Sequence, residues 1–394
     1  MTTTISAPVR ASFLPFSRPT IGDEEKSAVM AVLDSGWLAS GPRVKQFEEE
    51  FAKSVGARYA IALTSATAGL HVALKAMGVG PGDEVIVPSL TFAATANVVV
   101  HLGARPVFAD VDRRTFNLIP SEIDRLRTEK TRAVVPVHFT GHPCDLDAIS
   151  QIAAPRKIAV LEDAAHSVGA EYRGRPIGSR DDTTAVFSFH PNKNLTTGEG
   201  GMIVTSDEEI AETSTVYRFH GLNKDAWKRF AADGKAQTDV LAAGFKYNLT
   251  DIAAALGIVQ LRRLPEFNDR RRALADRYDR LLAGVSGLLL PERLSYPHVH
   301  PRHLYTPLVV PEEAGMTRDE FMERLRFENI GTGLHYKAVH LHSYYRKEWG
   351  TGPGLCPNAE WVGERIVSLP LFPAMTDADQ DDAVAAIRKV LGSS

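Results

Sequence analysis

The chain has little cysteine, only a small net charge and no long apolar run. It has 394 residues, and its two cysteines, Cys144 and Cys356, are far apart and lack metal-ligand spacing. One disulfide would be possible, but a reducing compartment is the simpler interpretation, so we expect a cytoplasmic protein without a metal site. A net charge of −3 gives no reason to expect nucleic acid or an anionic membrane as a partner.

Segments that would carry the chain into or across a membrane are also missing. No apolar run approaches the roughly 18 residues of a spanning helix. Residues 1–12 are rich in Thr and Ser and lack the apolar stretch of a secretory signal. Apolar residues make up 44% and charged residues 24% of the chain, which excludes disordered and collagen-like proteins. We therefore expect an ordinary globular fold.

Seven short apolar runs alternate with helical patterns along the first half of the chain. Near-continuous apolar runs are typical of strands that are covered on both faces. Between the first two runs, Leu70, Ala73, Leu74 and Met77 recur at helical spacing. The sequence therefore predicts an α/β fold with a mostly parallel seven-stranded sheet. The runs are Tyr59–Leu63, Val85–Val87, Pro106–Ala109, Ala133–Val137, Ile158–Leu161, Ala185–Phe189 and Met202–Val204.

The last third of the chain has a different pattern of predicted secondary structure. An amphipathic helix is predicted over Leu249–Leu264, ending before Pro265. An Arg-rich helix over Arg270–Arg280 follows, and we expect its arginines on a solvated face. Shorter strands, prolines and helices come after it. We expect a large domain over residues 1–265 and a smaller C-terminal α+β domain over residues 266–394.

Three polar segments follow predicted strands, at the edge where open α/β sheets bind ligands. The first is Thr64–Gly69, which follows the strand Tyr59–Leu63 and opens the next helix. Free backbone amides at a helix start, at the positive end of its dipole, can bind a phosphate. The alternative is that Ser or Thr caps the helix and nothing more.

The second polar segment places two acids, Glu162 and Asp163, directly after an apolar strand. Buried carboxylates cost free energy unless each has a partner. One partner would be a cationic heterocycle, since a carboxylate can keep a pyridine nitrogen protonated. Asp163 is the candidate, because Glu162 points to the opposite face if the strand continues through it. The alternative is a pair of acids capping a helix N-terminus.

The third polar segment, Ser188–Gly201, presents one lysine, Lys193, before a glycine-rich turn. A buried lysine can be neutral, form a Schiff base with an aldehyde and shuttle protons. Ser188 could add a hydroxyl donor to a phosphate. The alternative is a solvated loop lysine. Together, a phosphate cradle, an acid for a pyridine nitrogen and a Schiff-base lysine are what pyridoxal 5′-phosphate (PLP) requires.

The motifs around these segments resemble the DegT/StrS family of sugar aminotransferases over almost the whole chain. The resemblance implies the PLP-dependent aminotransferase fold of type I, and its motifs are highly specific as a set. They are Ser35-Gly36-Trp37, Ser40-Gly41-Pro42, Pro88–Phe92, Pro136-Val137-His138, Glu162–His166, Ser188–His190, Lys193, Gly198–Gly201, Phe219–Gly221 and Gln260-Leu261.

The resemblance assigns roles around the cofactor ring. It implies that Lys193 carries the covalently bound cofactor and that Asp163 pairs with the pyridine nitrogen. Phe92 would lie against the ring, where an aromatic face suits a π-system; its alternative is plain core packing. His166 would touch the 3-oxygen or the face of the ring.

The resemblance also assigns the phosphate site. Ala66, Thr67 and Ser188 would hold the phosphate, and Asn248 would reach the phosphate of the neighbouring subunit's cofactor. A homodimer with shared active sites is therefore expected. Many members of the family carry Asn and Arg where this chain has Lys246 and Asn248, so the choice of the side chain that crosses to the partner's site stays open.

For the substrates, the resemblance implies amino transfer from glutamate, which leaves as 2-oxoglutarate, to a nucleotide-linked 4-keto sugar near His335 and Tyr336. Amino-sugar or lipopolysaccharide synthesis would use such a product. The Lys/Asn pair favours the branch that acts on a UDP-linked 4-ketopentose. Alternatives are a UDP- or dTDP-linked keto-hexose, a PLP-dependent sugar dehydratase, which carries His in place of Lys193, and a noncatalytic PLP-binding regulator.

Overall fold

The computed structural model describes residues 7–222, 239–292 and 294–392. The helices are α1 Asp23–Ser35, α2 Pro42–Val55, α3 Ala66–Ala76, α4 Ala93–His101, α5 Pro120–Leu126, α6 Leu146–Ala153, α7 Glu208–Tyr217, α8 Asp251–Leu281, α9 Pro311–Ala314, α10 Arg318–Phe327, α11 Ser343–Trp349, α12 Pro357–Gly363 and α13 Asp377–Leu391. The strands are β1 Tyr59–Leu63, β2 Glu84–Pro88, β3 Arg105–Ala109, β4 Thr131–Val134, β5 Ala159–Asp163, β6 Glu171–Tyr172, β7 Arg175–Pro176, β8 Thr184–Ser188, β9 Gly201–Thr205, β10 Leu288–Leu289, β11 His298–Val299 and β12 Leu308–Val309.

Seven of the described strands form one sheet in the order β1-β9-β8-β5-β4-β2-β3. The pairs β2–β3, β2–β4, β4–β5 and β5–β8 are parallel, and β9 runs antiparallel to both of its neighbours, β1 and β8. Each of the seven apolar runs overlaps one of these strands. The prediction of an α/β fold with a mostly parallel seven-stranded sheet is confirmed.

The sheet is covered on both faces. Successive side chains of a strand point to opposite faces, and here they enter two different cores. Val85 and Val87 pack in the core with helix α3, whereas Ile86 between them packs in the core with helix α2. A strand buried on both faces has no polar face, which is why each strand reads as an unbroken apolar run.

One strand is shorter than its sequence pattern. The run Ala133–Val137 predicts a strand to residue 137, but β4 ends at Val134. Pro136 has no backbone N–H to give to the ladder, which explains the early end. Val137 returns to the sheet only as an isolated bridge with Asp163.

The prediction of two helices separated at Pro265 is wrong. Helix α8 is continuous from Asp251 to Leu281 with Pro265 inside it. An interior proline removes one hydrogen bond and costs roughly 3 kcal/mol. Leu261, Leu264 and Phe267 are buried on the two sides of the proline. Each such side chain contributes roughly 1.5–3 kcal/mol by leaving water, so packing outweighs the local cost.

A third core lies beyond the sheet. It contains Leu274 and Tyr278 of α8, Phe321 of α10 and Ile387 of α13, and the N-terminal segment adds Leu14 to it. A division of the chain near residue 265 stays a prediction. None of the described helices combines the length and the apolar character needed to cross a bilayer.

Most of the arginines in the second part of α8 lie at the surface, as expected. They pair there with acids of the same helix or of α13, as Arg270 does with Asp377 and Arg277 with Asp381. Arg271 is the exception: its side chain is buried, and its Nη1 donates to the carbonyl oxygens of His303 (3.2 Å) and Leu371 (3.0 Å). The expectation of a solvated face is wrong for this one residue, which faces the third core.

Candidate active site

The strand register brings the three polar segments to one edge of the sheet. In the ladders of β9, Gly201 lies opposite both Leu63 at the end of β1 and Ser188 at the end of β8. In the neighbouring ladder, Asp163 at the end of β5 lies opposite Val186. The carboxyl ends of β1, β5 and β8 therefore share this edge. Residues that the sequence separates by more than a hundred positions meet there.

The start of helix α3 forms the first part of the site. Ser65 caps the helix through its Oγ, which accepts from Ala68 N at 3.1 Å. The cap does not use the first-turn amides of Ala66 and Thr67, so capping and anion binding are compatible. A Cβ at Gly201 would stand 2.5 Å from Ala66 N, which is too close for any side chain. Only glycine therefore allows the first residue of β9 to lie next to the start of α3. Ser188 lies opposite Gly201, on the strand next to β9.

Asp163 forms the floor of the site and is 5% exposed. Its Oδ2 accepts from Thr95 Oγ1 at 2.8 Å, and its Oδ1 accepts from Ala165 N at 3.2 Å. Thr91 Oγ1 lies 2.8 Å from Thr95 Oγ1 and supports that hydroxyl. Burial raises the pKa of Asp163, against these hydrogen bonds and the charge of Lys193. The carboxylate is thus oriented, but both of its hydrogen bonds come from neutral donors and its pKa stays raised despite the charge of Lys193. A cationic ligand would therefore stabilise it.

Glu162 points to the opposite face of β5, as the alternation predicts. Its Oε2 lies 2.8 Å from His138 Nε2, and its Oε1 accepts from Thr183 Oγ1. Cys144 N donates to His138 Nδ1 at 2.9 Å, so the neutral ring carries its proton on Nε2 and donates to Glu162. Glu162 is therefore satisfied within the fold. No helix begins in the described residues 164–170, so the helix-cap alternative does not apply.

Lys193 is half-buried in the turn that follows β8. The turn is closed by the bonds from Lys193 N to His190 O (2.8 Å) and from Thr197 N to Phe189 O (3.0 Å). Burial lowers the pKa of the Lys193 amine from 10.5 to about 8, and the carboxylate of Asp163 opposes part of that shift. The surroundings are not those of a solvated loop lysine. An amine with this pKa is partly neutral near pH 7 and can act as a nucleophile and a base.

Aromatic side chains form a wall beside Lys193. Thr140 N donates to His166 Nδ1 at 3.3 Å, which leaves the proton on Nε2, 3.4 Å from Tyr336 Oη. The Tyr336 ring also lies 5.6 Å, between centroids, from the ring of Phe92. Phe92 is 59% exposed, so it does not pack in the core and offers a ring face to a ligand. The structure therefore brings His166, Tyr336 and Phe92 together.

His335 supports this wall from behind. Its Nδ1 lies 2.7 Å from Ser368 Oγ, and its ring packs edge-on against Tyr336 with centroids 5.0 Å apart. Burial, reinforced by the charge of Lys193, lowers the pKa of His335 to about 3. The same two causes push the pKa of His166 well below its usual range. Both histidines are therefore neutral at physiological pH and add no positive charge around Lys193.

Asn248 lies at the same edge, next to the outer side of β1. It forms an isolated bridge with Leu63, and its Nδ2 donates to Ser40 Oγ at 2.6 Å. Lys246 Nζ donates to Asn248 Oδ1 at 2.5 Å and also lies over the ring of Phe219, 4.6 Å from its centroid. The reach of Asn248 or Lys246 into a partner's site stays a prediction.

Several polar residues of the site were not identified from the sequence. Thr91 and Thr95 have the i, i+4 spacing of one helical face, but nothing local ties them to Asp163. Asn194 follows Lys193 directly, and its side chain accepts from His303. Among the described residues, no group of three or more His, Cys, Asp or Glu side chains is arranged to hold a metal ion.

Comparison with known proteins agrees with this geometry. The model of the DegT/DnrJ/EryC1/StrS aminotransferase family matches residues 19–388. The spore coat polysaccharide biosynthesis protein SpsC of Bacillus subtilis is 47% identical over 386 residues, which cover 97% of this chain and 98% of SpsC. These matches confirm the resemblance that the motifs indicated.

Solved structures show the same fold. The aminotransferase TlmJ from Streptoalloteichus hindustanus superposes with a TM-score of 0.87 at 36% identity, covering 96% of this chain and 99% of TlmJ. The PLP form of Spr1654 from Streptococcus pneumoniae gives a TM-score of 0.87 at 32% identity, with 96% and 99% of the two chains covered. The similarity extends over both the sheet and the C-terminal elements.

Proposed function

The chain belongs to the DegT/DnrJ/EryC1/StrS aminotransferase family, and we propose that this sugar aminotransferase moves an amino group from glutamate to the keto carbon of a nucleotide-linked 4-keto sugar. The observation that carries the proposal is the pair of Asp163 and Lys193 at one sheet edge. The carboxylate is oriented and short of positive charge, while the amine has a lowered pKa.

The residues of this edge fit PLP, the cofactor of the family. The hydrogen bonds that Asp163 receives within the described chain come from a hydroxyl and an amide, so a protonated pyridine nitrogen would supply the missing positive charge. The first-turn amides of α3 and the hydroxyl of Ser188 suit a phosphate. Phe92 and His166 would flank the ring. Bound PLP supplies an electrophilic aldehyde and a ring that takes up the electron pair of a broken C–H bond.

The side chains of this chain divide the remaining work. Lys193 Nζ, when neutral, takes the proton from the α-carbon of the amino donor and later returns a proton to the sugar carbon that receives nitrogen. Asp163 holds the ring nitrogen protonated throughout. Because His166 and His335 are neutral, they add no positive charge beside Lys193. Donor and acceptor use the same amine in turn, which predicts ping-pong kinetics.

The sugar side of the site is proposed around His335 and Tyr336. The Tyr336 hydroxyl faces His166, and the ring of the exposed Phe92 lies 5.6 Å from the Tyr336 ring, between centroids. We favour a UDP-linked 4-ketopentose over a keto-hexose, and the Lys246/Asn248 pair supports that choice. The amine of Lys193 argues against a dehydratase, and the intact set of Lys193, Asp163 and Ser188 argues against a noncatalytic binder.

A homodimer with shared active sites is part of the proposal. Val240 and Leu241, which lead towards Asn248, are 63% and 60% exposed. Burying these two neighbouring side chains against a partner subunit would be favourable. Together with the exposed Phe92 at the mouth of the site, they support a partner subunit that covers this edge.

The substrate is tested by mass spectrometry with synthetic keto sugars. The full-length protein with PLP and ¹⁵N-glutamate is expected to convert UDP-4-ketopentose to a product that carries the ¹⁵N amine, together with 2-oxoglutarate. Matched UDP- and dTDP-linked 4-keto-hexoses and ¹⁵N-alanine serve as controls. Conversion of a hexose but not of the pentose would overturn the sugar choice, and labelling from alanine but not glutamate would overturn the donor.

The pH dependence of cofactor capture follows from the pKa of Lys193, which falls from 10.5 to about 8. Because only the neutral amine attacks an aldehyde, capture of PLP by cofactor-free protein is expected to accelerate about tenfold per pH unit below pH 8 and to level off above it. Stopped-flow absorbance measures the rate, with N-acetyl-lysine methyl amide as the solvated control. A midpoint near pH 10 for the protein would contradict the burial argument.

A further inference from the structure

Two threonine hydroxyls lie in a row behind the carboxylate of Asp163, and the proposed reaction gives neither of them a role. Thr95 Oγ1 donates to Asp163 Oδ2 at 2.8 Å, and Thr91 Oγ1 lies 2.8 Å from Thr95 Oγ1. Thr95 is 0% and Thr91 2% exposed. Hydroxyls buried this deeply depend on the protein for their hydrogen-bond partners, so the arrangement of this threonine pair is informative.

The carboxylate decides the direction of both hydrogen bonds. An ionised carboxylate only accepts, so Thr95 gives its single hydroxyl hydrogen to Asp163. The contact between the two threonines then uses the hydrogen of Thr91 and a lone pair of Thr95. Both hydroxyls therefore point their hydrogens towards the negative charge. Hydrogen bonds arranged in such a chain strengthen one another.

The threonine pair belongs to the segment that also carries Phe92. Thr91 lies between the end of β2 and the start of α4, and Thr95 lies in the first turn of α4. That turn is closed by the bond from Thr95 N to Phe92 O at 3.2 Å. One short segment therefore exposes an aromatic ring to the site and directs a hydroxyl to the buried acid.

A second threonine pair shows what the first would be without an acid. Thr184 Oγ1 donates to Thr205 Oγ1 at 3.1 Å, and both residues are buried between β8 and β9. The other bond that Thr205 Oγ1 accepts comes from a backbone amide, that of Asp207. The second pair thus links two strands, whereas the first pair ends on a carboxylate.

The bond from Thr95 also has the largest influence in favour of the charged form of Asp163. Burial raises the pKa of Asp163, and the Thr95 hydroxyl opposes this rise more than the Ala165 amide or the charge of Lys193 does. The titratable groups that act on Asp163, or on which its charge acts, are Lys193 after β8, His138 after β4, Cys144 before α6 and Tyr336 of the C-terminal half. None of these groups is altered when a threonine of the pair is replaced.

We propose that Thr95 is a positioning residue for Asp163, whose carboxylate it keeps ionised and in one orientation with the support of Thr91. The proposal rests on the proposed role of Asp163 as the partner of the ring nitrogen of PLP. Thr95 would act on that nitrogen only through Asp163. Its effect should therefore be selective for the ring nitrogen and leave the phosphate and the amine of Lys193 unaffected.

Four variants separate this role from plain packing. Thr95→Val keeps the shape of the side chain and removes the hydroxyl, whereas Thr95→Ser keeps the hydroxyl. Thr91→Val removes only the supporting hydroxyl. Thr184→Val is the matched control, because it also removes a buried hydroxyl that donates to another threonine but has no acid behind it.

The first experiment measures the titration of Asp163 in full-length protein freed of PLP. The protein carries ¹³Cγ-labelled aspartate, and the Asp163 resonance is identified by its loss in Asp163→Asn. Because a donor to the charged form lowers a pKa, Thr95→Val should raise the midpoint of Asp163 by about one pH unit. Thr91→Val should raise it by less, and Thr95→Ser and Thr184→Val should leave it at the parent value.

Thermal unfolding of each variant shows which midpoints come from folded protein. An unmoved midpoint in folded Thr95→Val would overturn the proposal and leave the pair with the linking role of Thr184 and Thr205. If Thr95→Val did not fold, Thr91→Val would decide the matter, since an unmoved midpoint there would equally contradict a chain of two hydroxyls.

The second experiment compares the binding of PLP with that of its analogue that carries C–H in place of the ring nitrogen. Below both midpoints Asp163 must give up a proton to pair with the nitrogen, so Thr95→Val should bind PLP about tenfold more weakly than the parent for each unit of midpoint shift. The analogue should bind parent and variant equally. Equal losses for the two ligands would make Thr95 a structural residue.

The parent protein separates this inference from the proposed function. If the parent bound PLP no better than the analogue, Asp163 would not be the partner of the ring nitrogen and the proposed function would lose its main support. A raised midpoint in Thr95→Val would still establish that Thr95 keeps Asp163 ionised. Neither experiment needs a sugar substrate or turnover.

Discussion

Replacing Lys193 by alanine is expected to lower kcat for amino transfer by roughly a thousandfold or more, since a positioned general acid–base group alone contributes roughly 10²–10⁴-fold. The variant loses the only amine that the described edge brings next to Asp163. It should also lose covalent capture of PLP, so borohydride should no longer fix the cofactor on the protein. Steady-state assays and intact-mass spectrometry measure the two losses.

Two controls separate a missing amine from a damaged fold. Lys193→Arg keeps the length and the charge, but a guanidinium is not deprotonated in proteins and should be equally inactive. Added methylamine should restore part of the activity of Lys193→Ala, because a small amine can occupy the space left by the side chain, and should restore none in Lys193→Arg. Parent-like turnover by Lys193→Ala would remove Lys193 from the mechanism.

The sheet could be predicted because its strands are buried on both faces. Val85, Ile86 and Val87 enter two cores, so no polar residue interrupts the run. The edge of the site was predictable for a related reason, since the carboxyl ends of parallel strands share an edge. Segments that follow such strands must lie close together. That Asp163 and Ser188 share an edge could therefore be predicted from the strands alone, without knowledge of any long-range contact.

Other features depend on contacts that no local pattern records. Helix α8 continues through Pro265 because buried side chains on both sides of the proline outweigh its local cost. Arg271 is buried although its neighbours in the arginine run are at the surface. Thr95, which donates to Asp163 of β5, belongs to helix α4. His303, which lies in the C-terminal half of the chain, contacts Asn194. Hydrogen bonds of this kind depend on the packing of distant elements rather than on spacing.

The substitution Asp163→Asn is expected to lower kcat by about a hundredfold or more, comparable with the loss of one preorganised electrostatic partner. The amide has the same shape, and its single oxygen can keep one of the two hydrogen bonds that Asp163 accepts from Thr95 and Ala165. It carries no charge to keep a pyridine nitrogen protonated. Lys193 remains, so capture of PLP and its borohydride fixation should persist. Stopped-flow measurement of the half-reaction with glutamate locates the loss in the proton-transfer step.

The stability of the same variant provides the control. Burial raises the pKa of Asp163, so the ionised carboxylate disfavours folding at neutral pH, and this cost disappears below the raised pKa. The neutral amide removes the cost at neutral pH. Cofactor-free Asp163→Asn should therefore unfold at or above the temperature of the parent, while PLP should stabilise it less than it stabilises the parent. If the variant unfolded at a lower temperature than the parent without PLP and bound PLP with unchanged affinity, Asp163 would be a structural residue. Loss of a structural carboxylate would lower the stability of the fold but leave the binding of PLP unchanged.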